Sequence, residues 1–345
     1  SPLLSAFWQQ HPAYRLSGEG RASTYGLNFA LDQVRDYYLS LLRDTCERYP
    51  LDGVELDFTR HPLFSSRQEK NSAIMNHFIE QVRATTAEIG DRRNRPILVS
   101  ARIPSTLQDC TAAGLAVADW CRFDWVDFLT VAPLQSTETE IPVWEFKAVC
   151  DRTPVYTALG GTLGGRPMAV ETVHAAAATL FDNGAEGMYL SSTAAIPLHV
   201  FKGIKSMEAL ANQSKLYAWG PKGTTASSAG NNALLPITLS PGQPRAITLH
   251  APETRAPKAV YLWLEAREDL DPDRLYVELN DQSLELVGSA QPAWPFASEV
   301  KQPFHTAERV LTFSVSPSWL QSVNQLLVVA ETPVTLEYVY IGVIH

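Results

Sequence analysis

The sequence predicts an α/β chain in two parts. A (β/α)8 TIM-barrel-type domain over residues 1–215, short of its N-terminal strands, is followed by a linker over 216–232 and an all-β, jelly-roll-like sandwich over 233–345. Three observations predict this. From Leu51 to Ser192, short apolar runs with strand character alternate with helix-like stretches, the texture of a parallel sheet with crossover helices. Gly220 to Asn232 is rich in Gly, Ser, Thr and Asn and has no periodicity. Beyond it, strand-like runs recur with no helical period, as in a sandwich.

Residues 1 to 24 read as irregular, with Trp8, His11-Pro12 and Tyr14 before a Gly/Ser-rich turn, and Tyr25 to Ala30 as a short extended piece. Asp32 to Arg48 reads as a helix, with Asp32 as its N-cap and Val34, Tyr38, Leu41 and Leu42 three or four apart. The central strand follows the Asp52-Gly53 entry. Val54, Leu56 and Phe58 alternate there with Glu55 and Asp57, and a loop opens on Arg60-His61-Pro62. Gln68 to Gly90 is the next helix, and Pro96 to Ile103 the next strand, ending near Arg102. A short helix over Ala112 to Cys121 precedes a strand from Trp125 to Pro133 and a polar loop with Gln135, Glu138 and Glu140. A helix over Ile141 to Asp151 leads to a strand from Pro154 to Gly160, which carries Tyr156. The glycine-rich run Gly160 to Gly165, a helix over Met168 to Asn183, a strand from Gly187 to Ser191 and a helix over Pro197 to Ala211 complete this part. Five strands fall between Leu51 and Ser192, whereas a closed barrel needs eight. The count therefore expects the first strands from an upstream segment, from a second chain, or not at all. In the β part, strands are predicted over 246–250, 259–264, 275–279, 310–315, 325–330 and 334–341, with a turn at Asn280-Asp281.

Carboxylates inside a strand are costly unless they work or are paired. Glu55 and Asp57 share one strand face, and Asp57 lies nearer the C-terminal end, where barrels carry their chemistry. Asp57 is thus the leading catalytic candidate, with Glu55 as its partner. Arg102 ends the neighbouring strand, either as a cation for substrate or as a partner for Asp57 or Glu55. Glu138 and Glu140 are the nearest candidates for a second carboxylate, and as loop residues they equally fit plain solvated charges.

Four stretches together resemble a family of bacterial glycoside-hydrolase-like TIM barrels. His11 to Tyr14 is similar to an "HPEW" segment, and Tyr25 to Tyr37 to "LDFAHPEVRDY". Leu51 to Pro62 is similar to "DGIELDFMRHP". The fourth stretch is Asp127 to Pro133 followed by Glu140 to Phe146. The resemblance covers roughly residues 8 to 200. "DGxxxD" alone occurs in several glycosidase clans; the combination is more specific. The resemblance implies a carbohydrate substrate and a carboxylate acid/base mechanism. It also implies that two or three strand–helix units precede the His11-Pro12 region, which is itself a loop near the active site. On this basis Arg60, His61, Arg102, Gln135, Trp8, His11 and Tyr156 are substrate-binding candidates.

A net charge of −9 argues against nucleic acid or an anionic membrane surface as partner. No apolar run approaches the ~20 residues of a membrane-spanning helix. No signal peptide is visible, and the glycosidase reading expects a secreted or periplasmic protein. No cofactor or metal is expected, since Cys46, Cys110, Cys121 and Cys150 lack ligand spacing. Cys46 reads as a buried thiol, while Cys110 and Cys121 read as a disulfide or as two free thiols. Two other functions compete with the glycosidase. A barrel acting on a phosphorylated small molecule would use the glycine-rich run, but only Arg166 accompanies those glycines. A non-catalytic carbohydrate-binding barrel would keep the aromatics and lack a working carboxylate pair.

Overall fold

The computed structural model describes residues 5–17, 25–59, 63–65, 71–133, 141–160, 162–163, 166–191, 199–220, 235–252, 255–268, 270–288, 296 and 310–345, with the side chains of 162–167 left aside. The chain forms two compact units. One comprises Ser1–Leu134 with Pro142–Thr157, the other Gln135–Ile141 with Ala158–His345.

The first unit alternates strand and helix. Helices α1 (Ala6–Gln10) and α2 (Asp32–Arg48) lead into strand β1 (Gly53–Asp57). Helix α3 (Ser72–Arg92), strand β2 (Leu98–Ile103), helices α4 (Leu107–Ala112) and α5 (Val117–Arg122), strand β3 (Phe128–Val131), helix α6 (Val143–Val149) and strand β4 (Val155–Gly160) follow. β1 pairs with β2, β2 with β3 and β3 with β4, all parallel. Gly53 is required at the start of β1, because a Cβ there would stand 2.9 Å from the Leu98 carbonyl oxygen. Cys46 of α2, Ile89 of α3 and Ile97 form one buried cluster, flanked by Leu42, Leu51 and Val54. Apolar residues at helical spacing thereby close over the back of the sheet.

Local expectations in this unit are corrected in four places. Asp32 is the first residue of α2, and the N-cap position belongs to Leu31. α3 is capped by Asn71, whose side chain accepts the Ala73 N–H, and it runs past Gly90 to Arg92. The helix expected over Ala112 to Cys121 is two helices, α4 and α5, separated where Gly114 adopts φ +81°. A Cβ on Gly114 would stand 2.9 Å from the Phe64 ring. The disulfide is Cys121–Cys150, not Cys110–Cys121, with Cα atoms 5.2 Å apart. It joins the last turn of α5 to the residue after α6. Cys110 is instead buried beneath Pro104, whose carbonyl oxygen faces its thiol at 3.7 Å, and burial pushes that thiol up to about 12. Cys46 is free and buried, as expected.

In the second unit, β5 (Thr162–Leu163) and β6 (Arg166–Pro167) pair antiparallel. Helix α7 (Val170–Asp182) and strand β7 (Gly187–Ser191) follow, and β7 ends a sheet of order β1–β2–β3–β4–β7. Glu171 through Leu180 of α7 are all buried; its small alanines let packing reach every side. The single helix expected over Pro197 to Ala211 is two short ones, α8 (Val200–Gly203) and α9 (Met207–Leu210). The Ser206 side chain caps α9 by accepting the Ala209 N–H.

The β part begins at β8 (Lys215–Trp219), followed by β9 (Ile237–Leu239), β10 (Arg245–His250), β11 (Ala259–Ala266), β12 (Leu275–Leu279) and β13 (Gln282–Ser283). β14 (Glu285–Gly288), β15 (Leu311–Val315), β16 (Val323–Ala330) and β17 (Val334–Ile344) complete it. They form two antiparallel sheets, β10–β16–β12–β13 and β14–β15–β11–β17–β8. Ile247, Val277 and Val328 from one sheet and Leu262, Phe313 and Ile341 from the other share one buried core. Asn280 and Asp281 both adopt positive φ (52° and 61°), the two-residue turn that joins β12 to β13. Among the described residues no α-helix follows α9.

Candidate active site

Parallel pairing turns separate sequence positions into one row. Asp57 is the register partner of Arg102, Arg102 of Thr130, and Thr130 of Tyr156. Register partners on adjacent strands point to the same side of a sheet. A second row on that side, one pleat toward the strand starts, holds Glu55, Ser100 and Phe128. The opposite side carries Ala101, Leu129 and Val155, each 0% exposed. One face of the sheet is therefore apolar and covered, and the other is polar.

Asp57 is held on both oxygens. Its Oδ1 accepts the Thr59 backbone N–H at 2.9 Å and the Thr59 hydroxyl at 2.6 Å, an Asx-turn that fixes the carboxylate where the strand ends. Its Oδ2 faces Arg102 Nη1 at 3.4 Å. The Arg102 side chain is 10% exposed and that of Asp57 is 28% exposed, so the cation sits beneath and the carboxylate reaches outward. Of the two roles open to Arg102 in the sequence, the structure shows the ion pair with Asp57. Glu55 is exposed in the row below. Phe128 and Tyr156 bring their rings to 5.3 Å, an aromatic surface two to three strands from Asp57 on the same face. At the usual strand spacing, Asp57 and Tyr156 are about 14 Å apart across the sheet.

Trp8 and His11 occupy a separate aromatic cluster. The Arg15 guanidinium covers the Trp8 ring at 3.6 Å and its Nε donates to the Trp8 carbonyl. His11 stacks on Tyr14, and Phe7 stacks on Tyr37 of α2 at 3.8 Å. This segment is tied to the chain just after β1. Phe29 N–H donates to the Leu63 carbonyl at 2.8 Å and Ser17 N–H to the Ser65 hydroxyl at 3.0 Å. Arg60, His61, Gln135, Glu138 and Glu140 lie outside the described residues. Asp127, prominent in the motif stretches, has a structural role: its Oδ2 accepts Arg83 Nη2 at 2.7 Å and the Val99 N–H at 2.6 Å.

Sequence reasoning missed Thr59, Thr130 and Phe128. Thr59 carried a readable signal, since an Asp two residues before a Thr favours a local side-chain turn. Thr130 and Phe128 gave none, because their place in the rows depends on inter-strand register. Among the described residues no group of three or more His, Cys, Asp or Glu is placed to hold a metal ion, and no helix is long and apolar enough to cross a membrane.

No family model and no curated protein matches the sequence. Solved structures that align loosely with it include glycoside hydrolases. The PgaB (BpsB) glycoside hydrolase domain from Bordetella bronchiseptica aligns at 13% identity and TM-score 0.41, over 55% of this chain and 67% of that one. A family 18 N-acetylglucosaminidase from Paenibacillus barengoltzii aligns at 15% identity and TM-score 0.29, over 60% and 56%. An alpha-galactosidase from Lactobacillus brevis aligns at 15% identity and TM-score 0.37, over 96% of this chain and 42% of that one. The chain spans about half the length of the last two.

Proposed function

We propose that this chain is a glycosidase domain that binds a saccharide across the polar face of β1–β4, with Asp57 leading the chemistry. The observation that carries the reading is the row Asp57–Arg102–Thr130–Tyr156 at the strand ends. A carboxylate held by Thr59 and Arg102 is arranged as an acceptor. That suits a nucleophile, a water-activating base or a stabiliser of positive charge at the anomeric carbon, rather than the proton donor. The donor then falls to Glu55 or to Glu138 or Glu140 of the loop after β3. Phe128 and Tyr156 supply apolar faces for sugar rings. The Cys121–Cys150 disulfide supports a secreted or periplasmic location.

A second reading is saccharide binding without turnover. It is favoured by the same contacts, because both Asp57 oxygens already accept hydrogen bonds from the protein. The experiment that separates the two is a digest screen of poly- and oligosaccharides with wild type, Asp57→Asn, Glu55→Gln, Glu138→Gln and Glu140→Gln. Turnover that falls by several orders of magnitude in Asp57→Asn, with folding intact, supports the glycosidase. A fully active Asp57→Asn protein sinks the assignment of Asp57. Retained saccharide binding with no turnover even in wild type supports the second reading.

A further inference from the structure

The second unit contains a cavity of about 510 Å³, within the range of small-molecule sites. Its wall is built from the start of α7, the end of α8, the segment before β8 and the last residue of the described chain. No part of the strand-end site lines it.

Two of its polar side chains each hold a buried atom without a hydrogen-bond partner. Glu171 is 8% exposed, and its Oε2 has no hydrogen-bond partner. Its carboxyl otherwise meets only its own backbone N–H, and burial pushes its pKa up from the ordinary carboxylate value. His345 Nε2 is likewise buried with no partner, while its backbone N–H donates to Ser214 Oγ at 3.1 Å. His174, 6% exposed, also lines the cavity. Its Nδ1 stands 3.1 Å from the Ser214 carbonyl oxygen, so Nδ1 carries the proton and the neutral ring presents Nε2 as an acceptor. Burial lowers the pKa of both histidines. Asn212 and Gln213 add amides to the lining, and Lys202 and His199 stand exposed at it.

These groups define what fits. A buried polar atom left without a partner in a roomy site is satisfied by a ligand or water. An anion would meet Lys202 at the rim, but inside it would face the Glu171 carboxyl and two imidazoles that burial keeps neutral. A cation would meet Lys202 at the rim, and among the described residues no group of three or more His, Cys, Asp or Glu is placed to hold a metal ion. A hydroxyl both donates and accepts. It can give its proton to Glu171 Oε2 or His174 Nε2 while accepting from an amide of Asn212 or Gln213 or from His345. We propose that this cavity is a binding site for one small, uncharged polyhydroxy molecule, a single sugar ring, held between Glu171, His174 and His345.

The test is ligand-observed and protein-observed NMR, with calorimetry, on the full chain with glucose, galactose, N-acetylglucosamine and myo-inositol, and with glucuronate and inorganic phosphate as charged controls. At least one neutral probe should bind saturably and shift the His174 and His345 ring resonances. Glu171→Ala should weaken it at least tenfold, and so should Gly203→Val. A Cβ at Gly203 would stand 3.5 Å from His174 Nε2, so that variant narrows the cavity on its His174 side. Asp57→Asn should leave this affinity within twofold, which separates the result from success or failure of the strand-end site. The proposal is overturned if no neutral probe saturates, if a charged control binds more tightly, or if the ring resonances stay fixed on titration. It is equally overturned if both folded variants bind as wild type does, the mark of a cavity that holds only water.

Discussion

At the scale of single residues, Asp57 depends on two neighbours of different kinds. Thr59 fixes one oxygen through a hydroxyl and a backbone N–H, and Arg102 holds the other through charge. Thr59→Val keeps the shape and the N–H but removes the hydroxyl bond. It should cost about 1 kcal/mol of stability, read from a denaturant midpoint, and lower turnover by loosening the carboxylate. If turnover is unchanged, the Thr59 hydroxyl has no part in positioning Asp57. Lys215 supports a separate prediction. It is 2% exposed, donates from Nζ to the Gln213 carbonyl, and burial depresses its pKa from 10.5 to about 8. Below that value both folded and unfolded chains are protonated and the folded state carries the burial penalty. Between about pH 8 and 10.5 the unfolded chain binds more protons, so this group makes stability rise with pH, by up to about 3 kcal/mol. Denaturant titrations of wild type and Lys215→Met across that window should show the rise in wild type alone. Parallel curves would place Lys215 in a wetter site than its burial implies.

Among elements, the β1–β2 junction shows how one glycine sets a register. Without a Cβ at Gly53 the two strands close on each other, and Asp57 then lies opposite Arg102. Gly53→Ala pushes against the Leu98 carbonyl oxygen, which is backbone and cannot swing away. It should destabilise by about 1–3 kcal/mol, the range of overpacking, and reduce activity through the shifted strand. Gly242→Ala is the control. Its φ is +69° but nothing lies within 4 Å of the added Cβ, so the cost is conformational alone, about 1 kcal/mol, with activity untouched. Thermal melts and turnover of the two variants check both statements. Equal effects would mean that backbone conformation, and not the close approach, makes Gly53 necessary.

For the molecule as a whole, the Cys121–Cys150 bond closes a loop with a sequence separation of 29 that contains β3 and α6. On chain entropy, a crosslink of that length stabilises by roughly 3.5 kcal/mol. The Cys121→Ala, Cys150→Ala protein should lose an amount of that order in denaturant unfolding, and wild type should lose the same on reduction. Free Cys46 and Cys110 are buried, and burial raises both thiols, so neither should react with a thiol reagent until the chain unfolds. Rapid labelling of native protein would contradict the burial of both.

What the sequence determined by itself is local. The alternation of Val54 and Leu56 with Glu55 and Asp57 placed a polar and an apolar face on one strand, and helical spacing marked α2 and α3, because both periods are properties of a few consecutive residues. The strand character of the C-terminal part was legible for the same reason, as was the turn at Asn280-Asp281, whereas β8 at Lys215–Trp219 was not read as a strand. Helix boundaries were less so: Gly114 and Ser206 divide stretches whose apolar pattern runs on through them. The tertiary structure decided every relation between distant segments. The row from Asp57 to Tyr156 is a matter of register, the partner of Cys121 a matter of which helix ends meet, and the cavity around Glu171, His174 and His345 a matter of how α7 and the end of β17 pack. Such contacts are set by the summed burial of whole faces, so no short stretch of residues encodes them, and they become readable only once the chain has closed on itself.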